Sequence, residues 1–391
     1  MKVALVCDWL TNVGGAEKVL LEIHKLFPDA PIYASKYCPK RIDWFKGADV
    51  RTGWLQIFPA KMRRILGPLR QRYFSRLDLS EYDLIISVTG AEAKAVKSGR
   101  RLHEEGKANV KNPNGIHISY CHVPTQYYWQ MYDQYVENPG FGVLNPVVRF
   151  CFKILVKPLK KADLRAAAVP DYYVTISEYA KDLIKKYYKR EAVVIHPPVE
   201  TEDFSKKVGT ACSTGELQAT SPSDYYITTS RQVNWKRLDL AVKACLKCKR
   251  KLLVIGEGPE HKKLVKLANG SDLVEFLPLM KKEELAKYLS LAKGYLFPSL
   301  EPFGIAPVEA LAAGCPVIAF AEGGVKDYVR DGENGLLFEK QTIKSLVEAI
   351  VRFEEMKFDR KKISGGVKGF SADRFDKEIK EFVSEKTKQK N

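Results

Sequence analysis

Short apolar runs alternate with helical stripes along most of the chain. Val3 to Cys7 has the composition of a buried strand, and Asp8 to Val13 reads as the loop leaving its end. From Gly14-Gly15-Ala16-Glu17 onward, Val19, Leu20, Ile23, Leu26 and Phe27 recur at the spacing that gathers side chains on one helix face. Further runs at Leu84–Val88, Ile116–Tyr120, Tyr172–Ile176 and Val193–Ile195 are separated by helical patterns. Such alternation predicts a parallel sheet covered on both faces. The stiff connector His196-Pro197-Pro198-Val199-Glu200 closes this half. After a polar run, Gly209–Ser223, that reads as a surface excursion, the pattern restarts at Tyr225–Thr229. Leu238, Leu240, Ala241 and Ala244 then open a helix face, and Leu253–Ile255 and Val274–Leu277 are the next strands. A final amphipathic helix, Ser371–Glu385, carries Phe375, Ile379 and Phe382 on one stripe. The expected division is 1–196, 197–370 and a terminal helix over 371–391.

The densest pattern is Ser299 to Gly324. A strand at Tyr295-Leu296-Phe297 precedes it, and Pro307 suits the first position of a helix, where the missing N–H costs nothing. Gly314 and Pro316 mark that helix's end, and Val317–Phe320 is another buried strand. Glu301 stands in the loop ahead of the helix and Glu309 in about its first turn, where free N–H groups favour anions. On an arbitrary helix these would be a solvated loop charge and an acid complementing the dipole. Pro302, Phe303 and Gly304 between them suit close backbone approach by a ligand.

Two other places carry candidate chemistry. His122, in Tyr120-Cys121-His122-Val123-Pro124, falls at the C-terminal end of a predicted strand, where open α/β sheets bind ligands. Arg231 and Lys236 flank a strand-to-helix turn, as either surface cations or a clamp on an anion. Gly14 and Gly15 follow a strand and open a helix, a place where phosphate can approach, although no G-x-G-x-x-G fingerprint is present.

Composition adds one strong statement, a formal charge of +17 on 391 residues. Basic residues crowd Lys61–Arg76, Lys94–Arg101 and Arg149–Arg165, the first and third interleaved with apolar and aromatic side chains. That pattern suits an anionic membrane surface, nucleic acid or a solvated basic face. The eight cysteines are scattered. Cys245-x-x-Cys248 lacks the further ligands a structural zinc needs and reads as helix packing. Asp8 interrupts the N-terminal apolar run, so a first strand is expected there rather than a signal peptide, and with it a cytoplasmic location.

The segment Ser299–Gly324 resembles the E-x7-E element of retaining glycosyltransferases of family 4 (GT4), which have the GT-B fold. The resemblance extends to Arg231 and Lys236, to the strand and glycine turn ending at Gly256, and to Gly323-Gly324 and Asp331–Gly335. The YCHVP segment with the preceding SVTGAEAKAVKSG, and EPFGIAPVEA within Ser299–Gly324, resemble mannosyltransferase-like members. The fold implied is α/β, two Rossmann-like doubly wound parallel-sheet domains facing a central cleft. The resemblance implies catalytic roles for His122, Arg231, Lys236 and Glu301. Donor contacts are implied from Gly14, Gly15, Gly256, Phe276, Leu277, Phe303, Gly304, Ile305 and Glu309, with Glu309 on the ribose and the backbone near Phe276 under the base.

The implied donor is GDP-mannose or a UDP-hexose. The acceptor is a lipid-linked molecule or an oligosaccharide, with the protein peripheral on the inner face of an anionic plasma membrane. No Asp-x-Asp occurs anywhere in the chain, so Arg231, Lys236 and a helix N-terminus are expected to neutralise the leaving diphosphate without metal or other cofactor. A sugar-nucleotide epimerase of the same fold is the alternative enzyme class. A nucleic-acid-binding module is disfavoured because it leaves Glu301 and Glu309 without purpose.

Overall fold

Val3–Cys7 forms β1, buried at every position because the whole strand is apolar and lies mid-sheet. The computed structural model describes residues 1–60, 62, 66–137, 145–206 and 224–388, so the polar run 209–223 and part of the basic stretch 61–76 lie outside the described residues. Around β1 a seven-stranded sheet is laid in the order β3-β2-β1-β4-β5-β6-β7. Its other strands are β2 (Ile32–Ala34), β3 (Val50–Thr52), β4 (Leu84–Thr89), β5 (Ile116–Cys121), β6 (Tyr172–Thr175) and β7 (Val193–Val194). Every pairing is parallel, with Val3 opposite Leu84 and Leu84 opposite Ile116.

A second parallel sheet of six strands runs β10-β9-β8-β11-β12-β13. These are β8 (Tyr225–Thr229), β9 (Lys251–Ile255), β10 (Val274–Leu277), β11 (Gly294–Phe297), β12 (Val317–Phe320) and β13 (Gly335–Phe338). Each sheet reverses its winding once, between β1 and β4 and between β8 and β11. Ligands of open α/β sheets bind outside the strand ends at such a point. The chain divides into two compact units, Met1–Pro197 with Phe375 onward, and Pro198–Arg374.

The helices include α1 (Gly15–Leu26), α2 (Gly67–Arg76), α3 (Asn145–Ala167), α4 (Leu238–Cys248), α5 (Ile305–Ala312) and α6 (Ala372–Lys388). In α6 the apolar stripe Phe375, Ile379 and Phe382 is buried, with the Phe375 ring 5.9 Å from that of Tyr120. In α4 Cys245 is buried and Cys248 half-buried, both free thiols, as packing positions should be.

Two expectations about α5 need correction. Pro307 is its third residue, not its first, and Glu309 its fifth, beyond the first turn. The helix begins at Ile305 because Gly304, at φ +91°, turns the chain immediately before it. Pro307 still costs nothing, since its missing N–H is among those with no intrahelical acceptor.

The basic stretches also divide differently from a plain surface reading. Arg70 and Lys94 are almost fully buried. Arg70 donates from Nε to Glu92 at 2.8 Å, and Lys94 Nζ lies 2.7 Å from Asp163 on α3. Asp163 also accepts from Thr125 Oγ1 (2.8 Å), Trp129 Nε1 (2.7 Å) and the Tyr188 hydroxyl (2.9 Å). Burial alone would lower the Lys94 pKa, and the Asp163 carboxylate more than offsets it, so the ammonium stays charged. Removing one member of such a pair strands the other charge. Lys94→Met is therefore expected to lower unfolding stability by about 3–5 kcal/mol. Urea denaturation of the two proteins measures this, and a loss below about 1 kcal/mol would show that the network does not hold α3 in place.

Candidate functional site

In the second unit the loops leaving β8, β9, β11 and β12 gather at one sheet edge, because parallel strands all point the same way. Gln232, fully buried after β8, donates from Nε2 to the Gly256 carbonyl at 2.6 Å, and its Oε1 is 2.8 Å from His261 Nδ1. A side chain on Gly256 would press a Cβ to within 2.2 Å of the Ser230 carbonyl oxygen, so the two loops touch only because that residue is glycine. The Gly256 N–H donates to the Leu277 carbonyl at 3.0 Å, which engages the backbone at the end of β10. Phe276 is half-buried, its ring edge-on to His261 at 5.5 Å.

Glu301 lies at the head of this edge. Its Oε1 is 2.5 Å from Lys236 Nζ and accepts from the buried Ser299 hydroxyl at 2.8 Å. Both ion-pair partners are about one-fifth exposed. The Glu301 carbonyl accepts the Gly324 N–H at 2.9 Å, and a Cβ on Gly323, which sits at φ +92°, would be 2.4 Å from that same oxygen. Just beyond, the Tyr328 hydroxyl donates at 2.7 Å to the Phe303 carbonyl, with the Gly304 carbonyl at 3.0 Å. Phe303, Gly304 and Ile305 thus run in a fixed path into α5.

Tyr295 donates to the Thr229 carbonyl at 2.9 Å. Burial raises its phenol pKa, the bonds with Thr229 oppose this, and the nearby carboxylates of Glu301 and Glu309 add to the rise, so it remains a neutral donor. Arg231, in the loop leaving β8, is exposed.

The first unit holds its own cavity, about 320 Å³, at the ends of β1, β4 and β5. Asp8, Trp9, Glu17, His122, Gln126 and Tyr127 line it. His122 is where the sequence places it, just past β5, and among the described residues its buried Nε2 has no hydrogen-bond partner. Burial pushes its imidazole pKa down to about 4 against the opposing pull of Asp8. Gly14 caps α1 at φ −167°, extended backbone open to any residue, and Gly15 is the exposed first helical residue. No left-handed turn requires glycine at position 14, and the pair opens the helix as a plain helix start. A Cβ on Gly14 would meet only the flexible end of Glu17, at 2.8 Å.

Asp8, read from the sequence only as the start of a loop, is a second feature of this cavity. Its carboxylate accepts from Thr89 Oγ1 (2.9 Å) and from the backbone N–H groups of Gly90 (3.0 Å), Ala91 (3.1 Å) and Ala93 (2.8 Å). The signal was an acid directly after a buried strand. Beside it Trp9 lies under the Arg70 guanidinium at 4.8 Å, and the Tyr127 hydroxyl bonds to Glu92.

Residues 214–368, which include Arg231, Lys236, Gly256, Glu301 and Glu309, match the family described as Glycosyl transferases group 1. An uncharacterized glycosyltransferase of Methanocaldococcus jannaschii is 28% identical over 204 residues, 51% of this chain and 54% of that one. A D-inositol 3-phosphate glycosyltransferase of Nocardioides is 36% identical over 122 residues, 28% of this chain and 27% of that one. The chain thus spans about half or less of the length of these curated relatives. Among solved structures, Anabaena HepE in complex with UDP aligns at TM-score 0.66 and 18% identity, covering 98% of this chain and all of that one. The sucrose-phosphate synthase of Thermosynechococcus elongatus aligns at TM-score 0.68 and 18% identity, covering 98% and 99%. The fold is GT-B, and the match to glycosyl transferases group 1 falls within the second unit.

The buried imidazoles set a pH response. His117 in β5 is, like His122, pushed by burial to a low value, about 3. An unfolded imidazole titrates near 6.5, so below that pH the unfolded chain binds protons that the folded one refuses. Stability from these groups is complete above about pH 6.5 and falls as pH drops toward the folded values. Urea unfolding at pH 5 is expected to show a loss of up to about 2 kcal/mol per histidine relative to pH 7.5. The loss should shrink in His122→Asn, and an unchanged midpoint would contradict the neutral buried state.

Proposed function

We propose that this protein transfers a hexose from a nucleoside diphosphate sugar to a saccharide or lipid-linked acceptor, without a metal ion and with retention at the anomeric carbon. The observation that carries the reading is the Lys236–Glu301 pair, held 2.5 Å apart at the head of α5. The group 1 match across these residues supports it.

The chemistry follows from the charges. As the bond between the anomeric carbon and the diphosphate oxygen breaks, its electron pair stays with the diphosphate. Lys236 and Arg231 neutralise that leaving group, and the first N–H groups of α5 add positive potential. When the diphosphate takes the Lys236 ammonium, Glu301 is released to accept hydrogen bonds from hydroxyls of the transferred sugar. Glu309 takes the ribose hydroxyls. The backbone near Phe276 and Leu277, close to Gly256, receives the base. The acceptor oxygen bonds to the same face of the anomeric carbon, and its proton passes to a diphosphate oxygen. His122, neutral at pH 7, offers its ring to a sugar hydroxyl, while Gly14 and Gly15 leave the start of α1 open to phosphate.

The YCHVP and EPFGIAPVEA segments favour a mannosyl donor. The Anabaena neighbour solved with UDP-glucose makes UDP-hexoses the first comparison. Anionic lipid is the proposed partner surface, at the inner face of the membrane.

Thermal shift against a panel of GDP- and UDP-hexoses should single out the donor, because a bound ligand stabilises by mass action. With that donor, Lys236→Ala is expected to lower kcat/KM by about 100-fold or more, the scale of one preorganised charge contact at a transition state. A loss under threefold would remove Lys236 from the clamp. Enzyme treated with chelator and desalted is expected to keep its activity, and recovery only on adding magnesium or manganese would overturn the metal-free reading. Release of a free epimerised sugar nucleotide, with no glycosylated acceptor, would favour the epimerase class instead.

A further inference from the structure

Helix α3, 23 residues long, has two unlike faces. Inward, Val156, Asp163, Ala166 and Ala167 are buried, and Phe152 packs on Tyr132 with ring centres 5.7 Å apart. Outward, Val147, Phe150, Ile154 and Leu155 are all at least half exposed, Phe150 at 66%. Their spacing, i, i+3, i+7 and i+8, places them on one stripe of the helix. Large apolar side chains scattered singly on a surface need no explanation, but a continuous stripe along one helix marks an interaction surface. Lys153, Lys157 and Lys161 are exposed on the same helix, four residues apart beside the stripe. No described helix is long and apolar enough to cross a membrane.

We propose that this face of α3 lies in the interface of an anionic lipid bilayer, its apolar stripe among the upper acyl chains and its basic flank on the headgroups. An interfacial helix of this kind combines apolar burial with attraction to anionic lipid. Charge selects the occupant. A second copy of the chain would bring the same basic flank against itself, whereas an anionic bilayer satisfies both halves of the pattern. The inward face is pinned through Asp163, so the outward face is presented without refolding. The inference narrows the anionic surface proposed above to one element. It rests on that partner reading and not on transfer chemistry, and its test uses no sugar donor.

The full chain is mixed with vesicles of phosphatidylcholine alone or with 30% (about one lipid in three) phosphatidylglycerol, and binding is read by flotation. Preferential binding to the anionic vesicles, weakened in 0.5 M salt (roughly a 5 Å screening length), is expected. Phe150→Ser/Ile154→Ser and, separately, Lys153→Glu/Lys157→Glu should each weaken it at least about tenfold. Both replace exposed residues, so melting temperatures near the parent's are expected and confirm the fold. Phe150→Trp should add a blue-shifted emission component only with anionic vesicles. The proposal is overturned if the parent ignores vesicles, binds neutral and anionic ones equally, or binds unchanged in both double variants. It is also overturned if the parent forms a dimer that Phe150→Ser/Ile154→Ser converts to monomer. Donor binding and transfer, measured separately, stand or fall without altering any of these outcomes.

Discussion

The contact between Lys236 and Glu301 rests on where the backbone is allowed to go. Glu301 is in a loop, and a carboxylate on a free loop would wander through many rotamers at an entropic cost of about 1–2 kcal/mol per residue fixed. Here the Gly324 N–H holds its carbonyl, Ser299 holds its side chain, and Gly323 comes so close that any side chain would collide with it. The partner lysine sits at the end of a loop tied through Gln232 to the β9 turn. Both charges are thus positioned by neutral hydrogen bonds and close approaches before they meet. A charge held in this way needs little reorganisation when an anion replaces its partner, which is the property preorganised sites exploit.

The same economy appears in the first unit with the sign reversed. Asp8 accepts from three backbone N–H groups and a threonine hydroxyl, so its carboxylate is held in place and its lone pairs are largely occupied. His122, across the same cavity, has a buried ring nitrogen with no partner among the described residues. One group is spent on the fold and the other remains available to a ligand. That contrast distinguishes them better than residue type does, since an acid at a strand end would ordinarily be the first suspect.

The apolar runs β1, β4, β5, β8, β11 and β12 were legible because both faces of a central parallel strand are buried and the residues advertise it. Two of the edge strands, β3 and β13, were not. Val50–Thr52 is exposed at two of three positions, and its side chains carry no burial signal to read. Gly335–Phe338 was visible only as the tail of a turn motif. At the site, Glu301 and Lys236 each stood out in the sequence, but their ion pair did not, because the loops that bring them together lie 65 positions apart, and the start of α5 was misjudged by two residues. Proline at a helix start is a tendency over the whole first turn, whereas the φ of Gly304 decides the boundary and is invisible in composition. The surplus of positive charge was read as all surface, yet Arg70 and Lys94 sit in the core, because their acidic partners lie 22 and 69 positions further along the chain.

Long-range pairing of that kind changes what a charge count means. Lys94 and Asp163 cancel inside the first unit, and so do Arg70 and Glu92, so these four add nothing to the charge its surface presents. A helix whose inner side is fixed by a buried acid cannot rotate to hide its apolar stripe, so that stripe must be met by something other than water or remain exposed at a cost. Full burial of an exposed aliphatic or aromatic side chain supplies roughly 1.5–3 kcal/mol, and these four, half to two-thirds exposed, forgo a part of it. Four on one face, with lysines alongside, are the combination on which the proposed contact with anionic lipid rests.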